Sequence, residues 1–563
     1  MKEEYFLPKK EESFLKVIPL GGLNEIGKNI TVLEYQDDII IIDCGMSFPD
    51  DEMFGIDIVI PDFVYLLRNR ERIKGMVLTH GHEDHIGAIP YLLKEIDVPI
   101  YGTKLTLGLV ESKLKEHSLN APARLNVVKP GDCIKLGVFS VEFIRTNHSI
   151  ADAVGLAIKT PVGTVLHTGD FKVDYTPVDA EPIDFHKFAE VGRKGVLLML
   201  ADSTNAEKKG FTLSEKTVGI TLENIFRNAE NRIIIATFAS NVHRVQRIID
   251  AADKCGRKVA ISGRSMVNVV NVATELGYLK IPNKILVDIN KLKSIDENKI
   301  VVITTGSQGE PMSALSRMAA SEHRAIQIKK GDTIILSSSP IPGNEKTISN
   351  VVNKLFEKGA EVIYSDLADI HVSGHACEEE IKLMHSLVKP KFFIPVHGEY
   401  KHLRQHGLIA ENLGMPKENI FILEAGQILE LTPNSAKVAP KSVPAGKTLV
   451  DGLGVGDVGN IVLRDRRLLS ESGLMIIVVA LTKETGQICS GPDLISRGFV
   501  YVRESEDLMD SAKQVVKETL EKCQSDGIRE WAVLKNAVRD DLKEFIYART
   551  KRNPVILPII MEV

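Results

Sequence analysis

Residues 78–88, LTHGHEDHIGA, carry an unusual density of side chains that bind metal ions. Three histidines and two carboxylates fall within six positions, directly after the apolar run KGMVLT, and imidazole and carboxylate are ligands that divalent zinc and manganese prefer. On a turn from a strand to a helix, His80 and His82 can point to one cation. Asp84 and His85 can then point to a second. The pattern predicts a site for two divalent metals, with a solvated polar loop as the alternative interpretation.

Two cations about 3.5–4 Å apart need a bridging oxygen ligand and further histidines from other parts of the chain. Three candidates follow short apolar runs: His148 in RTNHSIA, Asp170 in HTGDFK and His397 in IPVHGEY. A lone histidine is usually structural, but the combination with the HGHEDH cluster favours a metal site.

The composition restricts the class of protein. The chain has 563 residues, 44% of them hydrophobic, which predicts about three or four domains. A formal net charge of −5 gives no overall basic field of the kind that attracts nucleic acids. The six cysteines are far apart and form no CxxC pair, as is typical of reduced thiols. The N-terminal MKEEYFLPKKEESF is charged, and no apolar run is long enough to span a bilayer, so we expect a soluble, cytoplasmic protein.

The elements that must position the candidate ligands change character along the chain. Short apolar runs separated by Gly, Pro and Asp predict strands up to about residue 205. From about 213 to 370, strands alternate with helices, as in RIIIATF followed by VHRVQRIIDAADKCG, which predicts a mostly parallel, covered sheet. Because strand ends converge on one edge of a sheet, we expect the residues that follow the early strands to form a site: Asp43, His80, His148, Asp170 and Asp202.

The order of these motifs resembles that of the metallo-β-lactamase superfamily, in which an αββα sandwich carries the metals. Asp43 in IIDCG, then HGHEDHIGA, His148 and Asp170 appear in the order of that superfamily. The resemblance implies that Asp170 bridges the cations and that Asp43 orients a ligand histidine. It implies one set of three ligands for each cation: His80, His82 and His148 for the first, and Asp84, His85 and His397 for the second.

The distance of 227 positions between Asp170 and His397 exceeds what a compact hydrolase of this fold needs. An inserted βα domain fits the gap and looks like the β-CASP domain of nucleic-acid-processing members. Its signature residues match Asp202 in ADSTNAE, His375 in HVSGHA and His397. The resemblance implies these boundaries: a metallo-β-lactamase core of residues 1–210 and 371–435, a β-CASP α/β domain of 211–370, a linker of 436–455, and a small α+β C-terminal domain of 456–563.

Among β-CASP enzymes, nearly the whole chain resembles the bacterial ribonuclease J family. The matching stretches include GGLNEIGKN, FASNVHR, SGRSM, TGSQGEP, DIHVSGHA and KPKFFIPVHGEY. The resemblance implies endonuclease and 5′→3′ exonuclease action on single-stranded RNA in its decay and maturation. It also implies two divalent ions per chain, with zinc the expected occupant and manganese or magnesium supporting activity. The expected assembly is a homodimer or homotetramer, or a hetero-oligomer with a paralogue, through the C-terminal domain.

The residues then indicate a hydrolytic mechanism. Water activated by the cations attacks phosphorus, and His375 protonates the departing 3′-oxygen. Asp202 keeps His375 oriented and protonated. Such cleavage leaves 5′-phosphate and 3′-hydroxyl ends. His371, in the same stretch DIHVSGHA, is the competing candidate.

Exonuclease action requires a pocket for the 5′-terminal phosphate. FASNVHR and ISGRSM each end a strand and open a helix, so both can present hydrogen-bond donors at a helix N-terminus. A plain helix cap is the alternative at either place. We expect these substrate-binding residues: Ser240, Asn241, His243, Gly263, Arg264, Ser265, His371 and Ser373.

A glycine-rich motif and six further histidines are not expected to belong to the site. GVGDVG fits the GxGxxG pattern, but the following NIVLRDRRLL favours a strand and turn over a phosphate-binding helix. Six histidines are expected to be solvated rather than ligating: His117, His186, His323, His385, His402 and His406.

Two alternatives to the proposed activity stay open. No residue in the sequence identifiably senses a 2′-hydroxyl, so a β-CASP nuclease that acts on DNA, or a pure endonuclease, fits the same residues. A weakly active RNA-binding partner subunit of an RNA decay complex is the alternative from another class. The intact ligand set argues against this partner subunit.

Overall fold

The structure is a computed structural model that describes residues 14–50, 52–119, 124–178, 181–310, 312–340, 344–364, 367–483, 485–500 and 506–563. Most of the charged N-terminal segment therefore lies outside the described residues. Two compact units make up the chain. One comprises the residues up to Ser47 with Val59–Thr448, and the other comprises Phe48–Ile58 with Leu449–Val563. Among the described residues, each helix is too short or too polar to cross a lipid bilayer.

Before residue 210, strands alternate with short helices. In chain order they are β1 (Leu15–Gly21), β2 (Ile30–Tyr35), β3 (Asp38–Ile42), β4 (Ile58–Pro61), α1 (Val64–Arg68), β5 (Ile73–Val77), α2 (Glu83–Ile86), α3 (Ile89–Leu93), β6 (Ile100–Gly102), α4 (Lys104–Glu116), β7 (Leu125–Val127), β8 (Cys133–Leu136), β9 (Phe139–Arg145), β10 (Val154–Thr160), β11 (Gly163–His167), α5 (Phe185–Lys194) and β12 (Leu198–Asp202), with a 3-10 turn at Arg70–Arg72.

The next segment forms the α/β domain that the alternating pattern predicts. Its strands form a parallel sheet in the order β14-β15-β13-β16-β17, with apolar helix faces packed against it. The elements are α6 (Glu215–Asn228), β13 (Ile233–Ala236), α7 (Val242–Lys254), β14 (Lys258–Ser262), α8 (Arg264–Glu275), β15 (Ile300–Thr304), α9 (Ala314–Ala319), β16 (Thr333–Leu336), α10 (Glu345–Glu357) and β17 (Glu361–Ile363), with 3-10 turns at Ile289–Ser294 and Glu297–Lys299.

The chain then returns to the first layers. The elements are α11 (Glu378–Val388), β18 (Phe392–Val396), α12 (Tyr400–Asn412), β19 (Leu429–Leu431) and β20 (Ala436–Val438), with a 3-10 turn at Lys417–Asn419. Strand β18 pairs in parallel with β12, so a residue after position 390 lies beside one near 200. This pairing adds β18 to the edge of the sheet that contains β12, so the chain rejoins that sheet after the inserted domain.

Two sheets form the sandwich that the resemblance implies. Their strand orders are β20-β19-β1-β2-β3-β5-β6-β7 and β18-β12-β11-β10-β9-β8. Alternate residues of both sheets, such as Leu33 and Phe143, meet in one buried core, as expected for strands whose side chains alternate between faces. The outer face of the second sheet packs against α5, α11 and α12, while α4 packs on β6 and β7. The predicted αββα architecture is confirmed.

The predicted linker is partly regular structure. Residues Ala436–Val438 form β20, which pairs with β19 at the edge of the first sheet. Further on, β21 (Lys447–Asp451) and β22 (Gly454–Val455) form a hairpin. The prolines at 440 and 444 lie between these strands, where no ladder hydrogen bond is interrupted. The domain boundaries themselves stay a prediction.

The second unit is a small α+β structure. It contains α13 (Asn460–Ser472), β23 (Leu474–Leu481), β24 (Ile488–Arg497), α14 (Glu506–Ser525), α15 (Trp531–Thr550) and β25 (Val555–Glu562). The sheet order is β24-β23-β25, and α14 and α15 cover its apolar face. The prediction of a strand and turn for NIVLRDRRLL is wrong, because this stretch forms α13. Its leucines and arginines are good helix formers, and that preference outweighs the short β-branched start.

Candidate metal centre

The candidate ligands meet at one edge of the sandwich because each follows a strand. Asp43 comes directly after β3 and His397 directly after β18, and the HGHEDH turn connects β5 to α2. Asp43 and His397 have φ angles of 58° and 57°, a left-handed conformation that turns the chain sharply where the strand ends. The prediction that strand ends bring these residues together is confirmed.

The first ligand group consists of three imidazoles. Nδ1 of His82 lies 3.1 Å from Nε2 of His80 and 3.0 Å from Nε2 of His148. Burial lowers the pKa of His82 to about 4 and lowers the pKa values of His80 and His148 well below the usual range. The rings are therefore neutral at physiological pH, which is the protonation state that binds a metal.

The second group combines imidazoles with carboxylates. Nε2 of His397 lies 3.0 Å from Oδ2 of Asp84 and 3.4 Å from Oδ2 of Asp170. Nε2 of His85 lies 3.3 Å from the same Asp170 oxygen. One ligand atom from each of these four residues lies within 4.8 Å of the others. This mixed set of nitrogen and oxygen donors fits a divalent cation such as zinc or manganese.

Asp170 is shared between the two groups. Its Oδ2 atom, close to the second group, is also 3.7 Å from Nε2 of His80 and 3.6 Å from Nε2 of His148. Asp170 is only 3% exposed, so water does not compete for this oxygen. A carboxylate between two nitrogen clusters occupies the place of a bridging ligand in a two-metal site.

The second group concentrates negative charge. Burial alone would lower the pKa of His85, but the surrounding carboxylates, led by Asp170, raise it well above the usual value. Burial is likewise outweighed at His397, where Asp170 and Asp84 raise the pKa to about 9. The buried Asp170 and the half-buried Asp84 therefore require positive charge beside them, and divalent cations held by the same residues would supply it.

Asp43 lies behind the second group and contacts His85. Its Oδ2 atom is 2.8 Å from Nδ1 of His85, which leaves Nε2 of that ring directed toward Asp170. Thr79 fixes the carboxylate by donating its backbone N–H to Oδ1 at 2.8 Å and its hydroxyl to Oδ2 at 2.7 Å. Such outer contacts set the tautomer and orientation of a ligand imidazole.

Two other ligand histidines are fixed in the same way. Nδ1 of His148 donates to the backbone oxygen of Gly374 at 2.6 Å, and Nδ1 of His397 lies 2.6 Å from Oγ1 of Thr204. Both contacts leave Nε2 free to face the metal centre. The contact to Gly374 joins the centre to the segment that carries His375.

Sequence reasoning missed three residues of this outer layer. Thr79 directly precedes His80, Thr204 follows Asp202 by two positions, and Asn29 lies in the stretch GGLNEIGKN. The side-chain amide of Asn29 donates to the backbone oxygen of Asp84 at 3.0 Å and lies 3.4 Å from its Oδ2 atom. Proximity to a predicted site residue along the chain was the available signal for the two threonines, but only the fold shows which side chains turn inward.

His375 faces the metal centre and remains partly accessible. Its side chain is 20% exposed, and its Nδ1 atom lies 2.8 Å from Oδ2 of Asp202 and 3.8 Å from Oδ2 of Asp170. Its ring centroid is 4.9 Å from that of His148 and 5.2 Å from that of His397. The imidazole is therefore held by a buried carboxylate at the edge of the ligand groups.

His371 occupies a different environment. Its Nδ1 atom is buried and has no hydrogen-bond partner among the described residues. Burial, followed by the charge of Arg244, lowers its pKa to about 3. A neutral ring of this kind is a poor proton donor near neutral pH, whereas His375 has a partly exposed ring beside Asp170.

The two predicted phosphate-binding stretches begin α7 and α8 at the carboxyl edge of the parallel sheet. Asn241 caps α7, where its side chain accepts the backbone N–H of Arg244 at 3.0 Å, so the helix-cap interpretation holds for this residue. Gly263 precedes α8 with a φ of 102°, and Arg264 and Ser265 are exposed. Donors at the start of α8 thus remain accessible.

A cavity beside the metal centre reaches the start of α7. His148, Asn241 and His243 line it, together with the buried ion pair between Lys172 and Asp174. Ser240 precedes the cap and is partly exposed. Ser373 is engaged elsewhere, because its hydroxyl accepts the side-chain amide of Asn205 at 2.7 Å and the backbone N–H of His375 at 3.2 Å. Of the predicted substrate contacts, Asn241 and His243 are therefore the ones that line this cavity.

The expectation that the remaining histidines are solvated is wrong for His385, His402 and His406, which are 6%, 7% and 1% exposed. Nε2 of His385 lies 3.1 Å from Nε2 of His406, whose Nδ1 lies 2.9 Å from Oγ of Ser203. His385 and His406 occupy the faces of α11 and α12 that pack against Phe393 of the second sheet. Local sequence polarity did not reveal those buried faces.

Comparisons with known proteins agree with this site. Family models match four successive parts of the chain, described as metallo-beta-lactamase superfamily (23–199), ribonuclease J beta-CASP domain (230–355), Zn-dependent metallo-hydrolase RNA specificity domain (360–423) and ribonuclease J C-terminal domain (461–563). Ribonuclease J2 of Bacillus subtilis is 45% identical over 557 residues, which cover 99% of this chain and 100% of the relative. The chain belongs to the ribonuclease J family.

Other ribonuclease J relatives match over similar lengths. Ribonuclease J 1 of Streptococcus pyogenes is 45% identical over 97% of both chains, and ribonuclease J of Thermus thermophilus is 43% identical over 98% of this chain and 96% of the relative. A crystal structure of a protein of unknown function from Enterococcus faecalis shares the fold, with a TM-score of 0.53, 18% identity and coverage of 74% of this chain and 100% of that one. Family membership and the buried ligand set together make this chain a metal-dependent hydrolase, a ribonuclease.

Proposed function

We propose that this ribonuclease uses two divalent cations to cleave single-stranded RNA both internally and in the 5′→3′ direction from its 5′ end. One observation supports the use of two cations above all others. A single buried oxygen, Oδ2 of Asp170, lies within 3.7 Å of ring nitrogens from four histidines that belong to two separate ligand groups. A site for one cation would not need that sharing.

The ligand assignment follows the two groups. His80, His82 and His148 would hold one cation, Asp84, His85 and His397 would hold the other, and Asp170 would be shared between them. The mixture of imidazole and carboxylate ligands suits zinc, while manganese or magnesium supports activity at the more carboxylate-rich group. Asp43 acts through His85 and does not itself touch the substrate.

The cleavage chemistry divides between the cations and the protein. When bound, the cations would activate water and neutralise charge on the scissile phosphate. His375 protonates the departing 3′-oxygen, because it is partly exposed and borders Asp170, while Asp202 holds its Nδ1 atom and leaves Nε2 directed at the substrate. The products then carry 5′-phosphate and 3′-hydroxyl ends.

The 5′ end is captured at the edge of the parallel sheet. Arg264 and Ser265, exposed at the start of α8, provide donors where the helix dipole also favours an anion. Asn241 and His243 line the cavity that adjoins His148. This arrangement supports a preference for a compact 5′-monophosphate over a bulkier triphosphate.

The proposal extends to the setting of the enzyme. It includes the domain boundaries given above, a cytoplasmic location, and self-association into two or four copies or association with a paralogue. The chain is 45% identical both to a protein named ribonuclease J2 and to one named ribonuclease J 1, so similarity alone does not separate a main enzyme from a partner subunit. The complete ligand set supports an active subunit.

A direct test uses single-stranded RNA with a labelled 5′-monophosphate, incubated with purified protein and Mn²⁺ or Zn²⁺. The same RNA with a 5′-triphosphate and a DNA strand of the same sequence are assayed in parallel. We expect labelled mononucleotide from the monophosphate RNA, internal fragments from both RNAs and no cleavage of DNA.

His82→Ala is the inactive reference, and His186→Ala, which changes an exposed histidine of α5, is its matched control. Internal fragments without mononucleotide would contradict exonuclease action. DNA cleavage would indicate the nuclease alternative, and RNA binding without cleavage would indicate a partner subunit.

A further inference from the structure

Glu380, in the first turn of α11, is a carboxylate buried to 0% exposure, and within the part of the chain that the structure describes its hydrogen bonds come from backbone N–H groups. Its Oε1 atom accepts the backbone N–H of Val173 at 2.6 Å. Its Oε2 atom accepts two more, from Thr212 at 2.8 Å and from Cys377 at 2.7 Å. Three charge-assisted hydrogen bonds thus converge on one side chain.

The three donors belong to segments that carry the proposed active site. Val173 follows Asp170 by three residues on the loop after β11, and Cys377 follows His375 by two. Thr212 adds a second connection to the same loop, because its hydroxyl donates to the backbone oxygen of His375 at 2.7 Å. The carboxylate therefore joins the Asp170 loop directly to the His375 loop.

A helix cap explains only one of these bonds. Glu380 takes part in a capping box with Cys377. For this motif its side chain needs to accept only one hydrogen bond, from the backbone N–H of Cys377. The bonds to Val173 and Thr212 extend more than 160 residues along the chain and contribute nothing to capping. They connect the loop after β11 and the segment before α6 to the start of α11, beside the backbone bonds from Glu378 to Lys208 and from Glu379 to Gly210.

We propose that Glu380 is a positioning residue, which fixes the His375 backbone relative to Asp170 so that the imidazole meets the departing 3′-oxygen. The inference rests on the role proposed above for His375. Glutamine at this position has the same size but only one acceptor oxygen. Its amide group must face at least one of the three N–H donors, and that loop then moves away.

The first test compares Glu380→Gln with Glu379→Gln in the full-length protein loaded with Mn²⁺. Glu379 lies in the same helical turn and is 46% exposed, where it pairs with Lys382, so it controls for the lost charge at the helix N-terminus. We expect kcat on 5′-monophosphate RNA to fall about 100-fold in Glu380→Gln, the effect of a displacement near 1 Å, with KM and bound metal unchanged. Glu379→Gln keeps wild-type kcat.

The second test separates positioning from general loss of structure. In an RNA whose scissile 3′-oxygen is replaced by sulfur, the departing thiolate needs no protonation. A variant that impairs His375 should therefore lose less kcat on this substrate than on the oxygen substrate. We expect the Glu380→Gln defect to shrink with this substrate, as the His375→Ala defect does. Thr212→Val removes the hydroxyl that donates to the backbone oxygen of His375, so its defect should also shrink with the sulfur substrate. If Glu380→Gln does not fold, Thr212→Val takes its place in this test.

The outcomes distinguish this inference from the function on which it rests. Wild-type kcat in both Glu380→Gln and Thr212→Val, or a defect equal for the oxygen and sulfur substrates, would overturn the positioning role. If His375→Ala itself cleaved both substrates at wild-type rates, the proposed general acid would fail, and with it the basis of this inference.

Discussion

Nδ1 of His375 lies 2.8 Å from Oδ2 of Asp202, a carboxylate that is 2% exposed. Asp202 ends β12 and His375 comes 173 positions later, so this contact exists only because β18 returns to pair with β12. Thr204 holds the other Asp202 oxygen with its backbone N–H at 3.0 Å and its hydroxyl at 2.8 Å. The proposed general acid, which follows the inserted domain in the sequence, thus contacts a carboxylate that precedes that domain.

His375→Ala should lower kcat by about 10²–10⁴-fold, the usual contribution of a general acid, and should leave KM for RNA and the bound metal unchanged. Steady-state kinetics and elemental analysis on the same sample check this. Asp202→Asn should lower kcat by a smaller factor, because the imidazole of His375 remains but is no longer oriented by a carboxylate. A rise in KM with unchanged kcat would place His375 in substrate binding instead.

Asp43→Asn should weaken metal binding or activity by about 10–100-fold, as substitutions behind a ligand histidine generally do. Asparagine retains the shape of the carboxylate but not the charge that supports His85 at 2.8 Å. Titration of the metal-free protein with Zn²⁺ measures the affinity. Asp37→Asn, in the exposed turn before β3, is the control, and equal affinities for the two variants would count against the assigned role of Asp43.

Arg264→Ala should reduce the preference for a 5′-monophosphate. Loss of a hydrogen bond to a charged group costs about 1.5–3 kcal/mol, so kcat/KM for release of the terminal nucleotide should fall about tenfold or more, while internal cleavage continues. Arg227→Ala, an arginine of α6 that is 67% exposed, is the matched control. A uniform loss of both activities would assign Arg264 to backbone binding along the RNA rather than to the 5′ end.

The buried pair His385 and His406 should make the folded state sensitive to acid. Burial lowers the pKa of His385 to about 4 and lowers the pKa of His406 well below its usual range, whereas an unfolded histidine titrates near 6.5. Below about pH 6.5 the unfolded chain therefore binds protons that the folded chain excludes, and stability falls by about 1.4 kcal/mol per pH unit for each such residue until the folded pKa is reached.

The check is the change in melting temperature of metal-free protein between pH 7 and pH 5. His385→Gln should melt with a shallower pH dependence than the wild type, because one of these titrating groups is removed. His186→Gln, at an exposed position, should leave the dependence unchanged. Identical dependences for His385→Gln and the wild type would mean that the pair does not titrate on unfolding.

The sequence alone predicted where the ligands come from, because a strand end is a local signal. Apolar runs that stop at Asp43, His80, Asp170 and Asp202 indicated both the strands and the edge where they meet. The parallel sheet of the inserted domain was predicted for the same reason, since its strands and helices alternate with clear periods. The family resemblance supplied the assignment of ligands to two groups.

What the sequence did not reveal depends on contacts between distant segments. Glu380 and Thr212 look like an ordinary helix start and a polar loop residue, and their convergence on one point follows from the return of the chain after the inserted domain. The buried histidines His385 and His406 were mistaken for surface residues because helical polarity alone does not define which face packs. The sequence of α13 has the β-branched pair Ile461 and Val462 near its start, which favours a strand locally, whereas the leucines and arginines that follow favour the observed helix.

The most direct test of the account is the number of cations needed for cleavage. Metal-free protein is loaded stepwise with Mn²⁺, and bound metal per chain and the initial rate of RNA cleavage are measured on the same samples. We expect the rate to stay low through the first equivalent and to rise until two ions are bound per chain, with Asp170→Asn unable to reach that rate. Full cleavage with one bound ion per chain, or full activity in Asp170→Asn, would contradict the account.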